Sequence, residues 1–347
     1  MREILPENNL KFHLGKLIRD SLKKALFAIF GRRLLRTLES RAGRVAIEVT
    51  NLCNANCSFC AYRYQQRPVE IMSLDTFKQF LDKYVAYGGG ELKFTPIVGD
   101  PLLDRGLTEK IEYARQFPEI TLIYTYTNAI AFNKLDLDRF LKSGIDAVQI
   151  STCIGSQAMF ERLYGVKKYS VTIENIVQLL ELNASLGSKV DIRISIRADK
   201  PYEAVWNSTD YKRLAALYGR SIPILNDAYD SWSGLIKKDE IPIGQKWRRI
   251  PRTKKSEPCS LLYKGLTILA DGRVNACWAR DMEASLIVGD IHSQALEDIW
   301  KGSDLRALRE KWKKGELPEV CRKCNQYTSL SDFLADEALA LVTGRKL

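Results

Sequence analysis

The sequence predicts an α/β fold built on a parallel sheet. Strand and helix patterns alternate six times between residues 44 and 226, and several of the helical segments stop at glycines. One strand segment, Val190 to Arg197, alternates cleanly. Ile192, Ile194 and Ile196 fall on one face, and Asp191, Arg193, Ser195 and Arg197 on the other. Strands joined through helices pair in parallel with right-handed crossovers. Six such units suit either a partial (β/α)6 barrel or an open doubly wound sheet.

The first 43 residues precede the first strand. Leu14, Leu17, Ile18, Leu22, Leu26, Ile29 and Phe30 fall at helical spacing, and residues 1–44 hold eleven Lys or Arg against four acids. The pattern predicts a basic amphipathic helix. It either packs on the main domain with its basic face in water, or meets an anionic membrane surface or substrate.

Residues 44–234 form the predicted αβ unit. Arg44 to Thr50 reads as its first strand. Ser73 N-caps a helix that runs to Tyr87 and stops at Gly88-Gly89-Gly90. Glu91 to Ile97 is a strand, Asp104 to Gln116 a helix, and Thr121 to Thr127 a β-branched and aromatic strand. Asp136 to Lys142 is a short helix, Ala147 to Thr152 the fourth strand, and Val171 to Leu186 a helix ending at Gly187. After the alternating fifth strand, Tyr202 to Tyr218 reads as a helix and Ile222 to Asn226 as a sixth strand. Residues 235–258 are rich in Lys and Arg and carry Pro242, Pro251 and Pro258, which predicts a basic linker. A second small unit spans 259–330, and 331–347 closes the chain as a helix or tail.

The whole chain has 347 residues, a net charge of +11 and 46% hydrophobic residues, enough for a large domain and a smaller one. No run approaches the roughly 20 apolar residues of a membrane span. Ala25 to Phe30 is apolar but short, and Lys23, Lys24, Arg32 and Arg33 bracket it. Met1-Arg2-Glu3 does not open a secretory signal, so a cytoplasmic location is expected. Eight cysteines in such a compartment point to metal rather than to disulfides. His13 and His292 are the whole histidine complement, which nearly excludes histidine acid–base chemistry and histidine-rich zinc sites. Nothing resembles a nucleic-acid module with base-stacking aromatics, so nucleic acid is not an expected partner.

The chemistry concentrates in the loop after the first strand. Cys53, Cys57 and Cys60 stand at C-x3-C-x2-C spacing. Three thiolates on one loop hold three corners of a cubane iron–sulfur cluster and leave the fourth iron open to a small molecule. This segment resembles the radical S-adenosylmethionine (SAM) superfamily, in which an aromatic before the last cysteine, here Phe59, is usual. The resemblance covers residues 44–226 and favours the partial, TIM-like barrel.

It also implies where SAM sits. Val98-Gly99-Asp100-Pro101 stands in place of the family's Gly-Gly-Glu-Pro, so Gly99 and Asp100 are expected to hold the SAM amino group. The first glycine is Val98 and the acid is one methylene shorter. Thr127-Asn128-Ala129 stands for Thr-Asn-Gly. Ser151 ends the fourth strand, where the family often places a serine on SAM. Phe160-Glu161-Arg162-Leu163-Tyr164-Gly165 resembles a family run that makes Arg162 a candidate for the SAM carboxylate. Ser195 and Arg197 are expected to point inward. Each of these polar residues also reads as an ordinary solvated or core side chain.

Four further cysteines, Cys259, Cys277, Cys321 and Cys324, occupy the C-terminal unit. Asp271-Gly272 signals a hairpin that brings Cys259 near Cys277, and Cys321-x-x-Cys324 is a metal-binding knuckle. Their spacing suits zinc or a fully ligated cluster equally. The segment resembles the SPASM/twitch extension of radical SAM enzymes, which implies an auxiliary [4Fe-4S] cluster beside the SAM-binding one. The four cysteines resemble most the abbreviated form found in aminocyclitol dehydrogenases.

Cys153 is left over. Two residues beyond Ser151, it is either a small core filler or a thiol on the cavity wall able to donate a hydrogen atom to a carbon radical. Asp227, Tyr229, Asp230 and Trp232 follow the sixth predicted strand. They form either a structural loop or a sugar-binding wall. The resemblance therefore implies an oxidoreductase that abstracts hydrogen from a polar, carbohydrate-like and, given the basic balance, anionic substrate. A small electron donor such as flavodoxin or ferredoxin would reduce it. Epimerisation with Cys153 as donor, peptide maturation, and a non-catalytic iron–sulfur or zinc protein are the alternatives. The 44-residue front looks short for a peptide-recognition domain.

Overall fold

The computed structural model describes residues 7–225, 228–247 and 255–343, with side chains described from residue 21 onward. Helix α1 (Glu7–Ser40) leads into β1 (Arg44–Ile47). Then come α2 (Leu74–Ala86), β2 (Gly90–Phe94), α3 (Leu107–Ala114), β3 (Ile120–Thr127), α4 (Leu137–Lys142), β4 (Ala147–Thr152), α5 (Gln157–Tyr164), α6 (Tyr169–Ser185) and β5 (Asp191–Ile196). The five strands pair in parallel in the order β5-β4-β3-β2-β1. Helices cover one face of this sheet, giving the α/β partial barrel.

Local chemistry explains the elements. The Ser73 hydroxyl accepts from the Thr76 N–H and caps α2. Leu92 and Phe94 of β2, Val148 and Ile150 of β4, and Ile192, Ile194 and Ile196 of β5 bury themselves in one core with the helices. The alternate residues are thereby left on the inner face of the barrel. In parallel strands the C-terminal ends lie on one side, so the loops after β1 to β5 converge there.

Two expected elements differ. Over the described residues 222–225 the expected sixth strand is reduced to a single bridge. Ile224 makes an isolated parallel bridge to Ile196, and the Leu225 N–H donates to the Ile196 carbonyl at 2.8 Å. Pro223 lacks the N–H that a ladder needs, and Asn226 lies outside the described residues. The helix expected over Tyr202 to Tyr218 is two, α7 (Glu203–Trp206) and α8 (Thr209–Tyr218). Ser208 intervenes as the N-cap of the second, accepting from the Tyr211 N–H.

The C-terminal segment holds α9 (Leu261–Lys264), β6 (Leu266–Ile268), β7 (Arg273–Asn275), β8 (Ile287–Asp290), α10 (Leu296–Trp300), α11 (Ser303–Lys313), α12 (Glu319–Lys323) and α13 (Leu330–Thr343). Strand β6 pairs with β1 in parallel, and β7 and β8 follow antiparallel, so one eight-stranded sheet runs through the molecule. The β6–β7 turn needs its glycine: Gly272 sits at φ +88°, and a Cβ there would lie 2.4 Å from His292 Nε2. Helix α1 lies along α13, with Lys23 paired to Asp336, and the Trp300 indole donates to the carbonyls of Leu38 and Glu39. Among the described residues no helix is long and apolar enough to cross a membrane.

Candidate functional site

The cysteine loop is clamped by backbone on both sides. The Asn56 and Ser58 N–H groups each donate at 2.9 Å to the last carbonyls of α5, Tyr164 and Leu163. Gly165, at φ +68°, lets α5 end against this loop, because a Cβ there would sit 2.6 Å from the Asn56 carbonyl. On the other side the Asp100 N–H donates to Leu52 at 2.8 Å. A Cβ on Gly99 would meet the Thr50–Leu52 backbone at 3.0 Å, and φ there is +123°. Gly99 is thus the residue that lets the loop after β2 lie on the cysteine loop.

Cys53, Cys57 and Cys60 face a cavity of about 340 Å³ at the strand ends. Gly99, Asp100, Asn128, Ser151, Phe59, Tyr229, Asp230 and Trp232 line it, which gathers most of the residues expected from the sequence. Burial pushes the three thiols up; Arg197 pulls Cys57 back down, and the Tyr62 backbone, Arg280 and then Arg197 pull Cys60 down. Thiolate ligation is thus disfavoured by burial alone and needs a metal to offset it.

Asp100 does more than face the cavity. Its carboxylate accepts from Thr127 Oγ1 at 2.9 Å, the Asn128 N–H at 2.8 Å and the Leu102 N–H at 3.1 Å. It ties β2's loop to the end of β3. Burial raises its carboxyl to about 6 against these hydrogen bonds. Asn128 in turn donates to Asn54 Oδ1 at 2.8 Å beside Cys53. Ala129, where the resembled family has glycine, takes the left-handed conformation at φ 68° and is fully buried.

Arg162 and Cys153 depart from expectation, and Ser195 points inward but beside the main cavity. Arg162 does not line the cavity: it is half-exposed and pairs with Asp199 at 2.9 Å. The sheet instead presents Arg197, whose guanidinium lies 4.7 Å from the Phe59 ring and 5.3 Å from the Tyr229 ring and donates to Ser151 Oγ at 3.2 Å. Among the described residues no carboxylate pairs with it. Ser195 is buried, donates to the Ile150 carbonyl at 3.2 Å, and lines a neighbouring trough, which shares Tyr126, Ser151 and Arg197 with the main cavity. Cys153 is fully buried in the apolar core and does not line the cavity. Strand β4 ends at Thr152, so the period that would have put Cys153 beside Ser151 is broken there. Burial pushes this thiol up as well. Asp227 lies outside the described residues.

The four C-terminal cysteines come together from three places: before α9, after β7, and within and after α12. They surround an apolar void of about 30 Å³. Backbone N–H groups point at two of the sulfurs, Arg280 to Cys277 at 3.5 Å and Gln326 to Cys324 at 3.4 Å. No three histidine, cysteine or carboxylate groups among the described residues are gathered tightly enough for one metal ion. Four thiols spread around a void, with N–H···S contacts, fit a cluster of several irons.

Arg280 and Gln326 were not apparent from the sequence as site residues. Both line the void and the main cavity, so they form the wall between the two cysteine sites. Asp230 fixes them. It accepts from Arg280 at 2.9 and 2.7 Å and from Gln326 Nε2 at 3.0 Å. Burial raises the Asp230 carboxyl, but Arg280 outweighs this and holds it below its ordinary value. Trp232 completes the wall, donating from its indole to the Phe59 carbonyl at 3.0 Å, with Arg280 4.2 Å from its ring. Arg280 is three residues past Cys277 and Gln326 two past Cys324; closeness to a ligand was the available signal. Lys93 was also missed. It is half-buried, with its ammonium 5.1 Å from the Tyr126 ring and 5.4 Å from the Trp278 ring, and desolvation, with Arg280, lowers it to about 8.

Comparison with known proteins fits this geometry. Residues 47–197 match the radical SAM superfamily, and residues 259–325 match SPASM, an iron–sulfur cluster-binding domain. A GTP 3′,8-cyclase of Mannheimia succiniciproducens is 24% identical over 153 residues, 43% of this chain and 44% of that protein. The chain therefore spans less than half of that relative. A PqqA peptide cyclase of Granulibacter bethesdensis is 20% identical over 321 residues, 84% of this chain and 81% of the relative. Among solved structures, BtrN in complex with AdoMet and 2-DOIA superposes with a TM-score of 0.55 at 16% identity, covering 84% of this chain and 95% of BtrN.

Proposed function

We propose, from the premise that this chain is a radical SAM enzyme with a SPASM domain, that it oxidises an alcohol of a small, polar, anionic substrate to a carbonyl. The shared wall carries this reading: Arg280 and Gln326 border both cysteine sites, so a substrate in the cavity lies next to each. With SAM and both clusters bound, the molecule supplies a 5′-deoxyadenosyl radical to take hydrogen from carbon and an acceptor for the electron that oxidation releases.

The chain's own residues bind and shield. Arg197 is a half-buried cation with no carboxylate partner among the described residues, and an anionic group of SAM or substrate satisfies it. Asp230 accepts on both oxygens, from Arg280, Gln326 and the Trp232 N–H, so it holds the wall in place for a substrate in the cavity. Phe59, Tyr229 and Trp232 supply flat apolar surface for a ring and exclude water from it.

Peptide modification is the second reading. The likeness to a peptide cyclase supports it, as does the trough continuing from the cavity past Ser151 and Arg197, which has room for an extended chain. The test is anaerobic turnover of the reconstituted protein with panels of polyol phosphates, sugar nucleotides and short peptides. The proposal expects 5′-deoxyadenosine together with a product lighter by two hydrogens from a polyol or sugar. Product from peptides alone overturns it in favour of the second reading.

A further inference from the structure

Lys255 stands just before the first cysteine of the C-terminal unit, and its side chain is 9% exposed. An ammonium has three donors. Lys255 Nζ lies 2.6 Å from the Cys321 carbonyl, 3.0 Å from that of Arg322 and 2.5 Å from that of Cys324. All three donors therefore go to the backbone of the knuckle. These carbonyls lie at the end of α12, where a helix leaves its last acceptors without intrahelical partners. A cation there complements them.

No carboxylate among the described residues pairs with Lys255, and the Tyr327 ring, 5.9 Å away, is its other cationic contact. Among the described residues the groups of opposite sign acting on it are the sulfurs of Cys324, Cys321 and Cys259. A buried charge in a low-dielectric setting acts strongly on its neighbours. Iron–sulfur potentials follow the net charge and hydrogen bonding around the sulfurs.

We infer that Lys255 is a positioning residue of the auxiliary site: it locks the Cys321–Cys324 knuckle into ligating shape, and its charge biases the cluster held there towards the reduced state. The inference rests on the four-cysteine site holding a cluster and is independent of the substrate. Reduction adds one electron, taken from the external reductant in the test below, and no bond is made or broken.

The experiment compares wild type, Lys255→Gln and Lys255→Arg as full-length, anaerobically reconstituted proteins. Iron and sulfide are counted, and the auxiliary cluster's midpoint is measured by EPR-monitored dithionite titration. Its signal is the one that SAM leaves unchanged. The expected result is full iron in both variants. In Lys255→Gln the reduced-to-oxidised ratio at fixed potential falls at least tenfold, a shift of about 59 mV for one electron, and Lys255→Arg restores most of it. Loss of half the iron in Lys255→Gln but not in Lys255→Arg also supports the role of the charge. Full iron with an unmoved midpoint in Lys255→Gln overturns the inference, as does equal iron loss in both variants. A wild type without an auxiliary signal overturns the cluster assignment itself and leaves the substrate reading to its own test.

Discussion

The two cysteine sites are built from the same ligand and differ in what surrounds it. Cys53, Cys57 and Cys60 lie on one short loop, pinned by α5 and Gly99, and open onto a cavity of about 340 Å³. Cys259, Cys277, Cys321 and Cys324 come from three separate stretches and enclose an apolar void of about 30 Å³. A three-ligand loop beside an open cavity leaves room for a small molecule at the metal. A four-ligand cage leaves none, so its use lies in what crosses its wall. Arg280 and Gln326 are that wall.

Removing one thiol from each site separates the two roles most sharply. Cys57→Ala should abolish reductive cleavage of SAM to 5′-deoxyadenosine. Cys277→Ala should keep much of that cleavage and lose oxidised product by at least a hundredfold. Chromatographic assay of both products checks this. Equal loss of both activities in the two variants would make the sites a single unit and break the contrast.

The wall comes next. Arg280→Ala leaves Asp230 largely buried without its cation, at a cost of about 2–3 kcal/mol in stability. If the wall positions substrate, KM for substrate should rise roughly tenfold while SAM cleavage without substrate holds steady. Thermal melts alongside steady-state kinetics read both effects. An unchanged KM would reduce Arg280 to a structural strut.

The open site was legible because its ligands are local. Spacing within eight residues specifies Cys53, Cys57 and Cys60; Gly99, Asp100 and Asn128 each follow a strand whose pattern is clear, and Ser151 lies at the end of one. The closed site was legible in its ligands but not in its neighbours. Strands β6 and β7 are three residues each, too short to show a period, and their pairing beside β1 is non-local. That pairing is what brings Arg280 to the cavity. Arg162 and Arg197 illustrate the same point. Both are basic residues near strand ends; strand alternation already turned Arg197 inward, while only tertiary packing assigns Arg162 to Asp199.

Titration sharpens the contrast further, because Asp100 braces only the open site. Its folded carboxyl is raised to about 6 by burial, above the ordinary 3.8. The folded state therefore binds the proton more tightly than the unfolded one. That contribution is fully present below pH 4 and is lost as pH rises towards 6, with nothing further above it. A difference of that size corresponds to about 3 kcal/mol. In urea unfolding of the metal-free protein, Asp100→Asn should remove this component, making the variant's stability fall less than wild type's between pH 4 and 6. Parallel curves for the two proteins would place the titration elsewhere.

The smallest effect belongs to the cysteine in neither site. Cys153 is fully buried behind β4, and its sulfur packs in the core away from the cavity. Cys153→Ala deletes one buried heavy atom, for about 1 kcal/mol of transfer and cavity terms together. A core role moves the urea midpoint slightly and nothing else, so SAM cleavage and product formation should both match wild type. A hydrogen-donor role has a different signature: SAM cleavage continues while product disappears, and product formed by wild type in deuterated water carries solvent deuterium on carbon. That outcome would require the chain after Thr152 to turn its thiol towards the cavity during turnover, and would move Cys153 from the packing of the barrel into the chemistry of the open site.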